Sequence, residues 1–181
     1  MQHSGNIFLV GLMGAGKTTV GKLLAQHLNK RFVDCDREIE NRSGVSIPLI
    51  FEIEGEAGFR RRESRLLEEL AARDDLVLAT GGGAVLSGQN RKLLASRGTV
   101  VYLRASVHEL WLRTRYDKNR PLLQGNDVRS KLRTLYAQRD PLYREIADII
   151  VDTSRQSVRT LVLQLEQDLQ RPGNLSCANS L

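Results

Sequence analysis

The chain has 181 residues, 41% of them hydrophobic, a size that supports one core burying about two-thirds of the unfolded surface. The net charge of +6 suits either a nucleic acid or a small polyanionic substrate, but the sequence has no long basic run and no aromatic residues interleaved with its arginines. We therefore expect no nucleic-acid partner. Two cysteines and three scattered histidines exclude a disulfide framework and a zinc site, so we expect a reducing compartment.

Membrane insertion and secretion are not indicated either. The longest uncharged apolar run, Ile7–Met13, is far shorter than the roughly 20 residues that cross a bilayer. The first residues, Met1 to Asn6, lack the basic and apolar segments of a secretion signal. We therefore expect a cytoplasmic protein with no membrane partner. The oligomeric state does not follow from these features, and we expect a monomer.

Five short apolar runs recur along the chain, and a helical pattern follows each of them. This alternation predicts an α/β fold in three layers, with a parallel sheet covered by helices on both faces. Apolar residues at helical spacing, from Val20 to Leu28 and from Val158 to Leu169, indicate that the first and last helices pack on the sheet. The runs are Ile7–Val10, Phe32–Val33, Leu76–Ala79, Val100–Leu103 and Ile149–Val151.

The spacing of these elements predicts one domain over residues 1–171. A longer helical stretch begins at Ile47 and is interrupted near Gly55, which leaves room for a substrate-binding insertion at about 37–62. A polar segment at about 115–126 links two helices, as a mobile lid would. The composition after Arg171 predicts a disordered tail at 172–181.

A phosphate-binding loop follows the first predicted strand and precedes an amphipathic helix. The segment Gly11–Thr18 fits G-x-x-x-x-G-K-[ST] at every specified position. Its backbone N–H groups and the helix N-terminus would face phosphates, Lys17 would reach the β- and γ-phosphates, and the Thr18 hydroxyl would ligate Mg²⁺. A glycine turn that binds nothing is the alternative. The predicted ATP-binding residues here are Gly14, Ala15, Gly16, Lys17, Thr18 and Thr19.

Two carboxylates close the second predicted strand, in Asp34-Cys35-Asp36. The period of two in a strand would place both on one side and Cys35 on the other. The carboxyl ends of parallel strands meet the ligand crevice, so we assign Asp34 to magnesium, through water, and Asp36 to the acceptor hydroxyl. The alternative is that one or both cap a helix beginning at Arg37.

The next helix carries a carboxylate inside its apolar stripe. Glu63 lies four residues after Phe59, among positions that face the core. A buried carboxylate needs a partner, and Arg60 is the natural one. An arginine braced in this way is well placed to grip a substrate carboxylate, although an ordinary surface ion pair is the alternative.

Two further features belong to the acceptor side. Gly81-Gly82-Gly83, after the third strand, would allow a ligand to approach the backbone closely, unless it is a plain turn. Arg139 lies on the core face of a helix that Pro141 should end, so its guanidinium would point into a cleft. The alternative is an arginine whose stem merely covers apolar surface.

Taken together, these segments resemble the shikimate kinases from about Asn6 to Leu169. The resemblance rests on Gly11–Thr19, Asp34–Asp36, Phe59-Arg60-Arg61 with Glu63, Gly81–Val85, Arg120–Leu123 and Arg139–Tyr143. It implies a sheet in the order 2-3-1-4-5 and transfer of the ATP γ-phosphoryl group, with Mg²⁺, to the 3-hydroxyl of shikimate in chorismate and aromatic amino acid biosynthesis.

The same resemblance implies roles for individual residues. Asp36, Arg60, Gly82 and Arg139 would contact shikimate, with the two arginines on its carboxylate. Arg120 would come from the lid to the phosphates and act with Lys17 and Asp36 in catalysis. Arg113 would lie against adenine, with Arg155 and Gln156 on the opposite wall. Cys35 and Trp111 depart from the family pattern without touching a catalytic position.

Two other functions remain open on the sequence alone. One is a P-loop kinase for a different small molecule, such as a nucleoside monophosphate or a sugar acid. Two arginines converging on a carboxylate argue against a nucleotide acceptor. The other is a P-loop regulator or a nucleic-acid-associated ATPase, which would need a basic or aromatic binding surface that the sequence does not show.

Overall fold

A parallel sheet of five strands organises the chain. The computed structural model describes residues 5–116, 123, 127–154 and 156–171. The strand order is β2-β3-β1-β4-β5, and every pair is parallel, which confirms the predicted fold. The strands are β1 (Asn6–Val10), β2 (Arg31–Asp34), β3 (Leu76–Ala79), β4 (Gly98–Arg104) and β5 (Ile149–Asp152).

The central strands are buried on both faces because helices cover both sides of the sheet. Every residue of β1 and β3 is buried, so these strands appear in the sequence as continuous apolar runs rather than alternating ones. In register, Ile7 of β1 pairs with Val77 of β3 and Thr99 of β4.

Within the described residues, seven α-helices and one short 3-10 helix connect the strands or follow the last of them. The first and last helices bury most of the stripes that their spacing predicts, including Leu24 in one and Leu165 in the other, but Val158 at the start of the last stripe is exposed. The helices are α1 (Lys17–His27), α2 (Cys35–Ser43), α3 (Ile47–Ala71), α4 (Gly88–Arg97), α5 (Val107–Thr114), α6 (Val128–Ile146) and α7 (Val158–Gln170), with the 3-10 turn at Ala84–Leu86.

Helix α3 is bent where the sequence predicts an interruption. Gly55 has φ 68° and ψ 178°, a conformation that is open essentially to glycine alone. The second part of the helix buries Phe59, Glu63, Leu66 and other residues against the core. The predicted insertion, residues 37–62, covers most of α2, the first part of α3 and the beginning of its second part.

Two expectations about element boundaries are wrong. The second strand ends at Asp34, and the helix begins at Cys35 rather than Arg37, because the Asp34 carboxylate accepts hydrogen bonds from the backbone N–H groups of Asp36 and Arg37. The strand period therefore does not relate Asp34 to Asp36. Pro141 does not end its helix either, since α6 continues to Ile146 and packing of the fully buried Tyr143 stabilises the turns beyond it.

The parallel direction of the strands brings their carboxyl ends to one edge of the sheet. The phosphate loop follows β1, α2 follows β2, and the three glycines follow β3, so these segments are neighbours there. The predicted lid lies largely outside the described residues, and the predicted tail, 172–181, entirely so. Among the described residues no helix is both long and apolar enough to cross a membrane.

Candidate active site

The phosphate loop has the backbone that its glycines predict. Gly11, Gly14 and Gly16 all have positive φ, and a Cβ on Gly14 would lie 2.7 Å from the Thr114 side chain. Lys17 begins α1 and donates hydrogen bonds from Nζ to the carbonyl oxygen of Gly11 at 2.7 Å and to that of Leu12 at 3.0 Å. The ammonium group therefore lies over the loop.

The N-terminus of α1 differs from those of the other helices. Helices α2, α4, α5, α6 and α7 each have an N-cap side chain that accepts a backbone hydrogen bond, and in α3 the Glu40 carboxylate accepts from Ile47 N–H at 2.9 Å. Within the described residues α1 has neither such a side-chain cap, with Gly16 at the cap position, nor an acidic residue in its first turn. Its N–H groups and positive dipole end suit an anion.

Thr18 and Asp34 bring two oxygen atoms together beside this loop. The Thr18 hydroxyl donates to Asp34 Oδ2 at 2.5 Å, while the other oxygen of Asp34 caps α2. Both residues line the cavity described below. A hydroxyl and a carboxylate oxygen are ligands that Mg²⁺ accepts, and this ion usually keeps several waters, so the pair fits a site of few protein ligands. Asp34 thus caps α2 with one oxygen and, with the other, contacts Thr18, the second predicted metal ligand.

A cavity of about 390 Å³ opens beside the phosphate loop. Residues from α2, α3, α6 and the loop after β3 complete its wall. The structure brings together in it every residue that the sequence assigns to the acceptor and to the metal, together with Lys17. The predicted residues lining it are Lys17, Thr18, Asp34, Asp36, Arg60, Glu63, Gly81, Gly82, Gly83 and Arg139.

Glu63 and Arg60 form an ion pair in the wall of this cavity, with the carboxylate buried and the arginine partly exposed. Glu63 is 0% exposed, and its Oε2 accepts a hydrogen bond from Arg60 Nη1 at 2.7 Å, the contact that the helical spacing predicts. Burial raises the pKa of Glu63, an effect that Arg60 opposes. Burial also disfavours the charge on Arg60, but its ion pairs with Glu63 and Glu56 outweigh that cost and raise its pKa.

The outer edge of the Arg60 guanidinium contacts a second carboxylate. Arg60 donates from Nε at 3.3 Å and from Nη2 at 3.1 Å to Glu56 Oε1, and the Glu56 side chain is 48% exposed. These are the two nitrogens of one edge of the guanidinium fork, which matches a carboxylate in two-point geometry.

Two of the three glycines after β3 are required because charged side chains lie against them. A Cβ on Gly81 would lie 2.1 Å from Glu63 Oε1, and one on Gly83 would lie 2.2 Å from Arg60 Nη2. A Cβ on Gly82 would instead lie 3.4 Å from the backbone nitrogen of Met13. This loop therefore contacts the ion pair on one side and the phosphate loop on the other, and a plain turn does not account for it.

Arg139 is buried although it carries a charge. Only 2% of it is exposed, and its Nε and Nη1 atoms have no hydrogen-bond partner among the described residues. Burial lowers its pKa. An arginine whose stem covers apolar surface would keep its guanidinium in water, whereas this one holds its donors inside the cavity. Buried donors of this kind need an acceptor.

The predicted adenine side lies across the phosphate loop. Arg113 donates from Nη1 to the Gly14 carbonyl oxygen at 3.2 Å and from Nη2 to the Thr153 carbonyl oxygen at 3.1 Å, so it joins α5 to the end of β5. Gln156 donates to the Asp152 carbonyl oxygen at 3.2 Å. Arg120 and Arg155, the other residues predicted for ATP, lie outside the described residues.

An apolar part of the cavity wall was not predicted. The rings of Phe51 and Phe59 pack with their centroids 4.9 Å apart, and both line the cavity with Ile47 and Met13. The eight-residue separation of the two phenylalanines crosses the bend at Gly55, which hides their shared face from a helical projection. These residues give one wall of a polar site an apolar surface.

Comparisons with known proteins give one consistent result. Residues 13–170 match the family model described as shikimate kinase. A shikimate kinase of Nitrosospira multiformis is 63% identical over 166 residues, which cover 92% of this chain and 85% of that protein.

Solved structures agree with this match. The shikimate kinase from Acinetobacter baumannii in complex with shikimate is 51% identical and superposes with a TM-score of 0.90 over 93% of this chain and 94% of that one. A gluconokinase from Sinorhizobium meliloti, at 21% identity and a TM-score of 0.60 over 91% of each chain, shares the fold.

Proposed function

Because the chain belongs to the shikimate kinase family, we propose that it transfers the γ-phosphoryl group of ATP to the 3-hydroxyl of shikimate. The products would be shikimate 3-phosphate and ADP, on the route to chorismate and the aromatic amino acids. The observation that carries this proposal is a single cavity in which Arg139 and Arg60 lie beside a phosphate loop. Two guanidinium groups suit an acceptor that bears a carboxylate.

The acceptor would bind between the two arginines and Asp36. Arg60, held by Glu63, and Arg139 would take its carboxylate, and the backbone of Gly81, Gly82 and Gly83 would allow the ring to approach closely. Asp36 would orient the attacking hydroxyl and accept its proton late in the transfer. Positioning of this kind supplies most of the catalysis in phosphoryl transfer.

ATP would bind on the phosphate loop. The N–H groups from Gly14 to Thr19 and the uncapped N-terminus of α1 support phosphate binding there. Lys17 would leave the carbonyl oxygens of Gly11 and Leu12 for the γ-phosphoryl oxygens, where charge develops in the transition state. Arg113 and Gln156 would border adenine, and Arg120 and Arg155 are proposed as further ATP ligands.

Thr18 and Asp34 would hold one Mg²⁺ ion with the nucleotide. When bound, this ion neutralises phosphate charge and helps to orient the γ-phosphoryl group. Asp34 can serve it without leaving its capping role, because its two oxygens face different partners. We further propose a cytoplasmic monomer in which residues 37–62 bind the acceptor and residues 115–126 close over it.

An ATP-consumption assay with and without shikimate tests the proposed function. We expect ADP release to depend on shikimate and on Mg²⁺, with equimolar shikimate 3-phosphate. A panel containing gluconate and nucleoside monophosphates provides the control, since the fold is shared with other kinases. Turnover that is equal without shikimate, or faster with another acceptor, would overturn the proposal.

A further inference from the structure

Tyr143 lies behind the acceptor cavity and has no assigned role. It is on α6, one turn after Arg139, and it is fully buried. Its hydroxyl donates a hydrogen bond to the Gly82 carbonyl oxygen at 2.5 Å. The same hydroxyl lies within interaction range of the Arg139 guanidinium. Tyr143 thus connects the two parts of the cavity that would meet an acceptor carboxylate.

A residue of the sheet fixes the position of the Tyr143 ring. It packs on Tyr102 of β4 with ring centroids 4.9 Å apart, and the Tyr102 hydroxyl donates to Asp140 Oδ1 at 2.7 Å. Burial raises the pKa of the Tyr143 hydroxyl, so it remains a protonated donor at neutral pH. A rigid ring and a permanent donor give the contact with Gly82 a fixed position.

We propose that Tyr143 is a positioning residue for the acceptor carboxylate, joining the backbone of Gly82 to the guanidinium of Arg139 in one fixed arrangement. This inference rests on the proposed function, since it assumes a carboxylate bound at Arg139. Holding the Gly82 carbonyl oxygen toward α6 directs the N–H of the same peptide unit, that of Gly83, to the opposite side. Tyr143 would therefore fix the positions of the Gly82 backbone and of the Arg139 guanidinium before the acceptor binds.

The substitution Tyr143→Phe removes the hydroxyl and keeps the ring packing. We expect the Kd and KM for shikimate to rise roughly tenfold, while the KM for ATP and the kcat at saturating shikimate change less than about twofold. Titration calorimetry supplies the Kd without turnover. The matched control is Tyr102→Phe, which removes the hydroxyl of the partner ring and a hydrogen bond that does not reach the cavity.

The two variants separate positioning from general stability. A lower Tm in both, with the shikimate Kd raised only in Tyr143→Phe, supports the inference. Equal Kd changes in both variants, or no change in Tyr143→Phe, would overturn it. A double-mutant cycle with Arg139→Lys adds a second readout, because a residue that acts through Arg139 should lose most of its effect once the lysine is present.

Failure of the inference and failure of the proposed function give different results. If the wild-type protein neither binds nor phosphorylates shikimate, the proposed function fails and Tyr143 loses its assumed ligand. If the wild type is active and Tyr143→Phe binds shikimate equally well, only the role of Tyr143 fails.

Discussion

Arg139 shows how burial distinguishes two interpretations that the sequence leaves open. Its position on the core face of a helix is compatible with a stem that covers apolar surface and with a ligand contact. The structure shows donors inside a cavity with no partner for Nε and Nη1 among the described residues. Sequence periodicity predicts which way a side chain points but not whether its end reaches solvent. Only the three-dimensional structure distinguishes a ligand-binding arginine from one whose stem covers apolar surface.

The substitution Arg139→Lys tests the contact. We expect the shikimate KM to rise about tenfold or more, because an ammonium group cannot reproduce a planar two-point contact. The KM for ATP should barely change. With an acceptor analogue that lacks the carboxylate the penalty should largely disappear, and an equal penalty on both acceptors would contradict the assignment.

Asp36→Asn tests the role of the carboxylate at the start of α2. We expect kcat to fall by about 100-fold or more, since the amide cannot accept the proton of the attacking hydroxyl. ATP affinity, measured by titration, should be retained. A variant with normal turnover and weakened ATP binding would instead assign Asp36 to the metal.

The pH dependence of acceptor binding should depend on Glu63. Its pKa is raised by burial, so on acidification it takes up a proton at a higher pH than an exposed glutamate and then no longer braces Arg60. A raised acid pKa means that the folded state binds this proton more tightly. Glu63 therefore contributes stability at low pH and loses that contribution as the pH rises through its folded pKa.

Acidification through the raised folded pKa of Glu63 should therefore weaken shikimate binding without loss of stability through this group. Asp36, Arg60 and Arg139 also face Glu63, so the comparison is between the wild type and Glu63→Gln, measured by calorimetry. The variant should bind weakly and show a flatter profile. Parallel profiles would show that another group titrates.

At the scale of elements, the sequence predicts strands and loops better than the junctions between them. The phosphate loop and all five strands follow from glycine spacing and apolar runs. The boundary at Asp34 does not follow from these patterns, because this one residue is both the last residue of β2 and the N-cap of α2. Pro141 within α6 is the second case, since packing around Tyr143 offsets the missing N–H.

The loop after β3 gives a prediction at this scale. In Gly83→Ala the new methyl group would overlap the Arg60 guanidinium, so we expect the shikimate KM to rise about tenfold or more with little change in the KM for ATP. Gly88→Ala is the control, because the nearest atom to its Cβ is the end of a flexible arginine 3.8 Å away. Similar kinetics in the two variants would contradict the packing argument.

At the scale of the whole molecule, five separate segments contribute to one cavity only because the strands are parallel. The apolar runs of the sequence indicate this parallel sheet and therefore its shared edge. For that reason the meeting of the predicted acceptor residues could be predicted. The sequence could not indicate Tyr143 against Gly82, because that contact depends on how α6 packs against the loop after β3. Glu56 and Arg60, by contrast, lie four residues apart on α3, so helical spacing could have predicted their contact.

The thermal stability of the protein should increase when shikimate binds in this cavity. Shikimate at about 100 times its Kd should stabilise the protein by about 2.7 kcal/mol and raise the Tm by roughly 5–10 °C in a thermal melt. Lys17→Ala should keep this shift but lose turnover, if Lys17 binds the nucleotide as proposed. No shift in either protein would mean that shikimate does not bind the folded state.

The contact of Gly82 with the phosphate loop limits how the acceptor preference of this enzyme can be redesigned. The loop after β3 contacts the phosphate loop and also lines the cavity, whereas α2 and α3 line the cavity without such a contact at Gly82. Substitutions in that helical wall should alter the choice of acceptor while leaving nucleotide kinetics intact. Substitutions at Gly82 should alter both together, so the independent route to a new acceptor runs through Ile47, Phe51 and Phe59.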